Sequence, residues 1–199
     1  MMKIKLLLYC TKAKPFIYYD SDDKTVWKSH DIDKPNSYHL NGKIVAECEC
    51  QKVEEIHISS EKRLGEETKY HIYSSKEDED LGNYYREDYI EKETCLKCNE
   101  ISNYLNKGKG YALHLSNLKI FDKPRELNDF FKDIFPKLYE KWEDHRIKKA
   151  PQNMCYCYDE EGNKYILISI RPEWLCKILN GKKTIEIRKQ ILNCLKELI

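Results

Sequence analysis

Between Lys183 and Arg188 the chain reads K-T-I-E-I-R, which places an amine, a hydroxyl, a carboxylate and a guanidinium at positions 183, 184, 186 and 188. An amine and a carboxylate this close can exchange protons with a substrate. A guanidinium beside them can hold a phosphate or a base edge through paired N–H groups. Backbone conformation decides whether they act together. In an extended strand side chains alternate, so Thr184, Glu186 and Arg188 line one face and Ile185 and Ile187 the other. Parity puts Lys183 with the isoleucines. It is then either a desolvated amine with a lowered pKa, able to act as a base, or a lysine that snorkels back to water. Glu186 and Arg188 also allow two readings: a surface ion pair contributing little, or a carboxylate and guanidinium that read a ligand.

The elements that must position these groups lie immediately upstream. Ile166, Leu167, Ile168 and Ile170 form a short β-prone run that reads as a strand. Pro172 suits the first helical position, Trp174, Leu175, Ile178 and Leu179 share one face, and Asn180-Gly181 supplies a left-handed stop. Strand, helix and strand therefore bring Arg171, Trp174 and Lys182 near the charged row. Gly181-x-Lys183-x-x-Glu186-x-Arg188, after a strand and an R-P-opened helix, resembles the signature of the ASCH family. That family lies within the PUA-like β-barrels that mostly bind RNA.

The resemblance implies an α+β fold, a small mixed β-barrel with peripheral helices. It also implies a cleft between helix and strand lined by Arg171, Trp174, Lys182, Lys183, Thr184, Glu186 and Arg188, with RNA or a modified nucleotide as the partner. In one ASCH branch, which removes the acetyl group from N4-acetylcytidine, the family's lysine and a nearby threonine act as base and nucleophile, with a glutamate from elsewhere in the barrel. Here Lys183 matches that lysine and is the candidate catalytic residue, but Glu186 stands where the threonine would be and Thr184 lies two residues earlier. A carboxylate beside Lys183 favours its protonated form, so binding without catalysis is the leading expectation.

Charge is unevenly distributed along 199 residues whose formal net charge is +1. Lys76 to Glu100 holds nine acidic against four basic residues, whereas Lys164 to Ile199 holds eight basic against three acidic. A basic end containing the motif, with Tyr and Trp nearby, suits nucleic acid. The acidic stretch suits an alternative role as a phage-encoded inhibitor or regulator that mimics nucleic acid and binds a host protein.

Nine cysteines without a secretion signal imply a reducing, cytoplasmic setting, and no membrane span is expected. Cys95-x-x-Cys98 has ligand spacing, and Cys48-x-Cys50 and Cys155-x-Cys157 each put two thiols on one strand face. No second C-x-x-C or H-x-x-x-H completes a zinc set, so the thiols are read as small core residues and no metal is expected. There is no phosphate-cradling glycine loop and no cofactor is expected.

Along the remaining chain, Ile4–Leu8 reads as a strand and Ile44 begins another. Ser59 to Asp88 reads as a long polar loop, and Thr94 opens a helix to Leu105. Tyr111–Leu115 and Leu118–Phe121 read as strands, and Leu127–Lys149 as a helix by the spacing of Phe130, Phe131, Ile134, Leu138 and Trp142. Met154–Tyr158 is a strand, Asp159–Asn163 a hairpin turn, and a helix follows Lys189. Residues 1–158 are expected to form an ASCH-like barrel with an acidic insertion at 59–88. Residues 159–199 are expected to form a partial second copy, strand, helix, strand and C-terminal helix, whose apolar faces would pack on the first barrel or on a second chain in a homodimer.

Overall fold

A computed structural model of the chain describes residues 4–11, 17–19, 26–28, 40, 42–62, 64–65, 68–74, 87–106, 108–132 and 145–199. The fold is mixed α+β, as expected. Its strands are β1 (Ile4–Cys10), β2 (Ile17–Tyr19), β3 (Val26–Lys28), β4 (Ile44–Glu61), β5 (Lys69–Tyr73), β6 (Lys109–Arg125), β7 (Met154–Tyr158), β8 (Lys164–Ile170) and β9 (Ile185–Arg188). Four helices are described: α1 (Glu87–Thr94), α2 (Cys98–Leu105), α3 (Pro172–Leu179) and α4 (Asn193–Lys196). Seven strands form one sheet in the order β7-β8-β1-β4-β6-β9, with β5 on β4, while β2 and β3 pair separately. No helix among the described residues is long and apolar enough to cross a membrane.

The chain divides into two compact units that interleave in sequence. The first comprises Met1–Ile4, Glu49–Asn117 and Asn180–Ile199; the second comprises Lys5–Cys48 and Leu118–Leu179. Each therefore draws on both sides of residue 158, and the long strands β4 and β6 contribute residues to both.

In the second unit, Leu6–Cys10 of β1 and Tyr165–Ile170 of β8 are buried at every position. Continuous apolar runs of this kind mark strands covered on both faces. They pair in parallel, Leu6 with Ile166 through Cys10 with Ile170. Strand β7 returns antiparallel to β8 across residues 159–163. One core gathers Leu7, Tyr9, Ile44, Phe130, Ile147, Cys157, Tyr165 and Leu167. The Phe130 ring meets Tyr165 edge-on, with centroids 6.3 Å apart.

The helix expected over Leu127–Lys149 is not found in its described parts; residues 133–144 lie outside the described residues. Leu127–Asp129 forms only a 3-10 turn. Phe131 is extended and exchanges backbone hydrogen bonds with Tyr158 at 2.8 and 2.9 Å. Both Phe130 and Phe131 are fully buried; pairing with Tyr158 satisfies the Phe131 backbone, while Phe130 donates to the Leu127 carbonyl and accepts the Ile147 N–H, where the apolar spacing suggested a helix.

In the first unit, β4, β5, β6 and β9 present Ile56, Ile72, Ala112, Ile185 and Ile187 to α1 and α2, which supply Ile90, Cys98, Ile101 and Leu105. The long loop expected from Ser59 is corrected at its start, because Glu61–His57 pairs antiparallel with Lys69–Tyr73. Thr94, expected to open a helix, instead ends α1. The Glu91 carboxylate of α1 accepts the Cys98 N–H at 3.0 Å and caps α2. The two strands expected between Tyr111 and Phe121 are one, β6, with a positive φ of 50° at Asn117.

The β7–β8 hairpin is tied by Asp159, whose carboxylate accepts the N–H groups of Glu161 and Asn163 at 3.0 and 2.8 Å and the Tyr165 hydroxyl at 3.2 Å. Partial burial pushes the Asp159 pKa up, but these hydrogen bonds outweigh it and the net shift is downward. A carboxylate held below its unfolded value adds stability that is present above about pH 4 and lost as pH falls through the folded value. Asp159→Asn should therefore lie below the wild-type protein in stability at pH 7, with the gap in urea melts narrowing as pH drops below about 4. A gap that stays constant into acid would show that Asp159 is not the stabilising ion.

Candidate functional site

Strand β9 is buried at all four positions, with two unlike faces. Ile185 and Ile187 enter the first unit's core, while Glu186 and Arg188 remain 8% and 7% exposed on the opposite face. The strand is set by its pairing with β6, Tyr111 to Arg188 through His114 to Ile185. Gly110 permits the close approach of α2: a Cβ there would lie 2.6 Å from the Leu105 side chain and 2.9 Å from the Arg188 carbonyl.

Lys183 lies before the strand proper, so the alternation used to place it does not reach it. Its side chain does not snorkel; the residue is 2% exposed. Its ammonium donates to the Thr94 carbonyl at 2.7 Å and the Ile185 carbonyl at 2.8 Å, and lies 3.3 Å from Glu186 Oε2. The other Glu186 oxygen pairs with Arg188 Nη2 at 3.0 Å. Glu186 thus bridges two cations in a buried triad with one net positive charge. The surface ion pair weighed for Glu186 and Arg188 is replaced by this buried network.

Thr94 is the last residue of α1, so Lys183 caps the carboxyl end of that helix, where its cation also meets the negative end of the helix dipole. The Thr94 hydroxyl turns back to the Ile90 carbonyl at 2.6 Å, leaving its own carbonyl for Lys183. Next to it, Cys95 takes a left-handed φ of 54° and its thiol donates to the Lys182 carbonyl at 3.2 Å. The Thr184 N–H donates to the Glu93 carbonyl at 2.9 Å, and its hydroxyl donates to the Glu93 carboxylate.

Burial pulls the Lys183 pKa down, and the Glu186 charge opposes the shift. An ammonium has three protons to donate, and two carbonyls and a carboxylate stand ready to take them. This geometry holds the charged form. A general base needs a free amine lone pair, which such a setting does not favour.

Among the sequence candidates, Lys183, Glu186 and Arg188 come together, Thr184 joins them through the backbone but spends its hydroxyl on Glu93, and Lys182 is exposed. Arg171 and Trp174 belong to the other unit. There Arg171 is exposed and its carbonyl accepts the Trp174 and Leu175 N–H groups at the start of α3, while the Lys177 ammonium lies 5.0 Å from the centre of the Trp174 ring. Sequence reasoning missed Thr94 and Glu93; the only signal was the four-residue spacing of Ile90 and Thr94, faint within an acidic stretch.

Cysteine packing differs from ligand geometry. Cys98 faces the core while Cys95 bonds a backbone carbonyl, so the C-x-x-C pair is divided. Burial pushes the thiols of Cys10, Cys50, Cys98 and Cys157 up to about 12. Among the described residues no three His, Cys, Asp or Glu side chains converge as a metal site would need.

Compared with protein families, curated proteins and solved structures, the chain matches none.

Lys183→Met should cost about 3–5 kcal/mol of stability, since it leaves Glu186 short of a partner and α1 uncapped, and adding Glu186→Gln should recover part of that loss. A cost below about 1 kcal/mol in urea melts would show that the buried pairing is not formed. Gly110→Ala should destabilise by about 1–3 kcal/mol through the clash with Leu105 and the Arg188 backbone. An unchanged melting curve would contradict that close contact.

Proposed function

We propose that the β9 region of the first unit is a nucleic-acid site, for single-stranded RNA or a modified nucleotide, and that it binds without performing chemistry. The observation that carries this reading is the buried triad with one net positive charge. A cation held at low exposure by fixed partners selects for phosphate or for the acceptor edge of a base, because rigid, desolvated groups lose little entropy on binding. Its surroundings suit a single strand. Lys182 and Lys189 are exposed on either side of the strand. Tyr104 on α2 is 42% exposed, with the Lys189 ammonium 5.2 Å from its ring centre, a combination that can stack a base and neutralise the adjoining phosphate.

The seven-stranded mixed sheet is compatible with the PUA-like, ASCH-type barrel suggested by Gly181-x-Lys183-x-x-Glu186-x-Arg188, and that architecture is part of the proposal. The hydrolase alternative is the less favoured, because Lys183 has three acceptors around its ammonium and Thr184 is engaged with Glu93.

Fluorescence anisotropy of the folded protein against short single-stranded RNA should show binding that weakens with salt. Lys182→Ala and Lys189→Ala should each lower the salt slope by about 0.7, the value for one phosphate contact on a single strand. Absence of binding at low salt, with the fold intact by circular dichroism, would remove the proposal.

A further inference from the structure

The second unit contains a cleft of about 610 Å³, lined by the end of β1, the turn after β6 and residues 147–150. Small-molecule sites commonly have this size. Backbone pairing fixes its walls. On one side the Gly42 N–H donates to the Cys10 carbonyl at 2.8 Å and the Thr11 N–H to the Ile170 carbonyl at 2.9 Å. On the other, the Ile147 N–H donates to the Phe130 carbonyl at 2.9 Å and the Phe130 N–H to the Leu127 carbonyl at 3.2 Å. Walls held in this way lose little entropy when a ligand covers them.

The deepest part of the lining is apolar: Tyr9 at 4% and Ile147 at 2% exposure, with half-buried Leu127 and Ala150 beside them. The Tyr9 ring packs in the core that holds Leu7, Phe130 and Ile147. Its hydroxyl has no hydrogen-bond partner among the described residues. A phenol buried to this degree ordinarily has one. Burial raises its pKa above the usual phenol value, so the hydroxyl keeps its proton and stays a donor. The charged residues of the lining, Glu126, Lys148 and Lys149, are all exposed and carry both signs. Glu126 is engaged with the Lys43 ammonium, and Asp129 beside the cleft keeps its negative charge. Neither sign prevails, so a charged ligand would give up its water without a matching field.

We infer that this cleft is a second binding site, for an uncharged, flat organic molecule that carries a hydrogen-bond acceptor at its edge. The flat body covers Ile147, Leu127 and Ala150, and the acceptor receives the hydrogen bond of the Tyr9 hydroxyl. Water alone would meet the hydroxyl but leave the apolar floor wet. The site does not rest on the proposal for β9, whose residues belong to the first unit.

Naphthamide, naphthoate and methylnaphthalene share one flat body and differ in charge and in the acceptor; titrated separately into the full chain and followed by amide NMR, they test the inference. Naphthamide should bind and shift the Ile147 and Ala150 amides, with the other two about fivefold weaker or more. Tyr9→Phe removes only the hydroxyl. It should weaken naphthamide about fivefold, the worth of one hydrogen bond, and leave methylnaphthalene unchanged. Ala150→Trp, with the fold intact by circular dichroism, should block naphthamide by filling the cleft. No naphthamide binding by the folded protein would overturn the inference. So would naphthoate binding as tightly as the amide, or a Tyr9→Phe variant that keeps the full preference for the amide over the hydrocarbon.

Discussion

A charge that water cannot reach must find its partners inside the protein, and the Lys183 ammonium finds three, one at the end of α1 and two on the strand that follows it. Taking such an ion out of water costs several kcal/mol, and only good geometry offsets it. Here the offset comes from the carboxyl end of α1, from the Ile185 carbonyl and from Glu186. The helix gains a cap, the strand gains a fixed start, and Glu186 gains a counter-ion that leaves its second oxygen for Arg188. Each of these depends on the others, so the position of α1 and the geometry of the charged face are set together.

The strand that follows shows how one segment serves packing and chemistry at once. Its isoleucines join a core shared with α1 and α2, and its polar residues form an ion network on the reverse face. Apolar burial fixes the register, since a slip by one residue would push Glu186 and Arg188 into the core. The site is therefore positioned by the hydrophobic effect acting on its neighbours.

Much of this was legible in the sequence where the signals are local. Pro172, the Asn180-Gly181 stop with its φ of 74°, and the Asp159 to Gly162 turn each fix their own backbone, and β7, β8, α3 and β9 fall close to where those residues place them. Legibility failed where a distant partner decides. Ser59 to Glu61 are strand because Lys69 to His71 pair with them, which their polar composition conceals. Adjacent Phe130 and Phe131 satisfy helical spacing, yet Tyr158 offers Phe131 a ladder and Ile147 donates its N–H to the Phe130 carbonyl. Alternation placed Glu186 and Arg188 on one face, but the burial of Lys183 depends on a carbonyl 89 residues earlier, and no local pattern encodes that.

The parallel pairing of β1 with β8 has a consequence for biosynthesis. Leu6 leaves the ribosome long before Ile166, its partner across the sheet, so β1 spends much of translation without that neighbour. Contacts this far apart in sequence form slowly, and the buried run Leu6–Cys10 with an open edge invites pairing with other chains in the meantime. A nascent chain stalled before Lys164 would present Leu6, Leu7 and Leu8 without their β8 partners, an edge open to pairing with other chains.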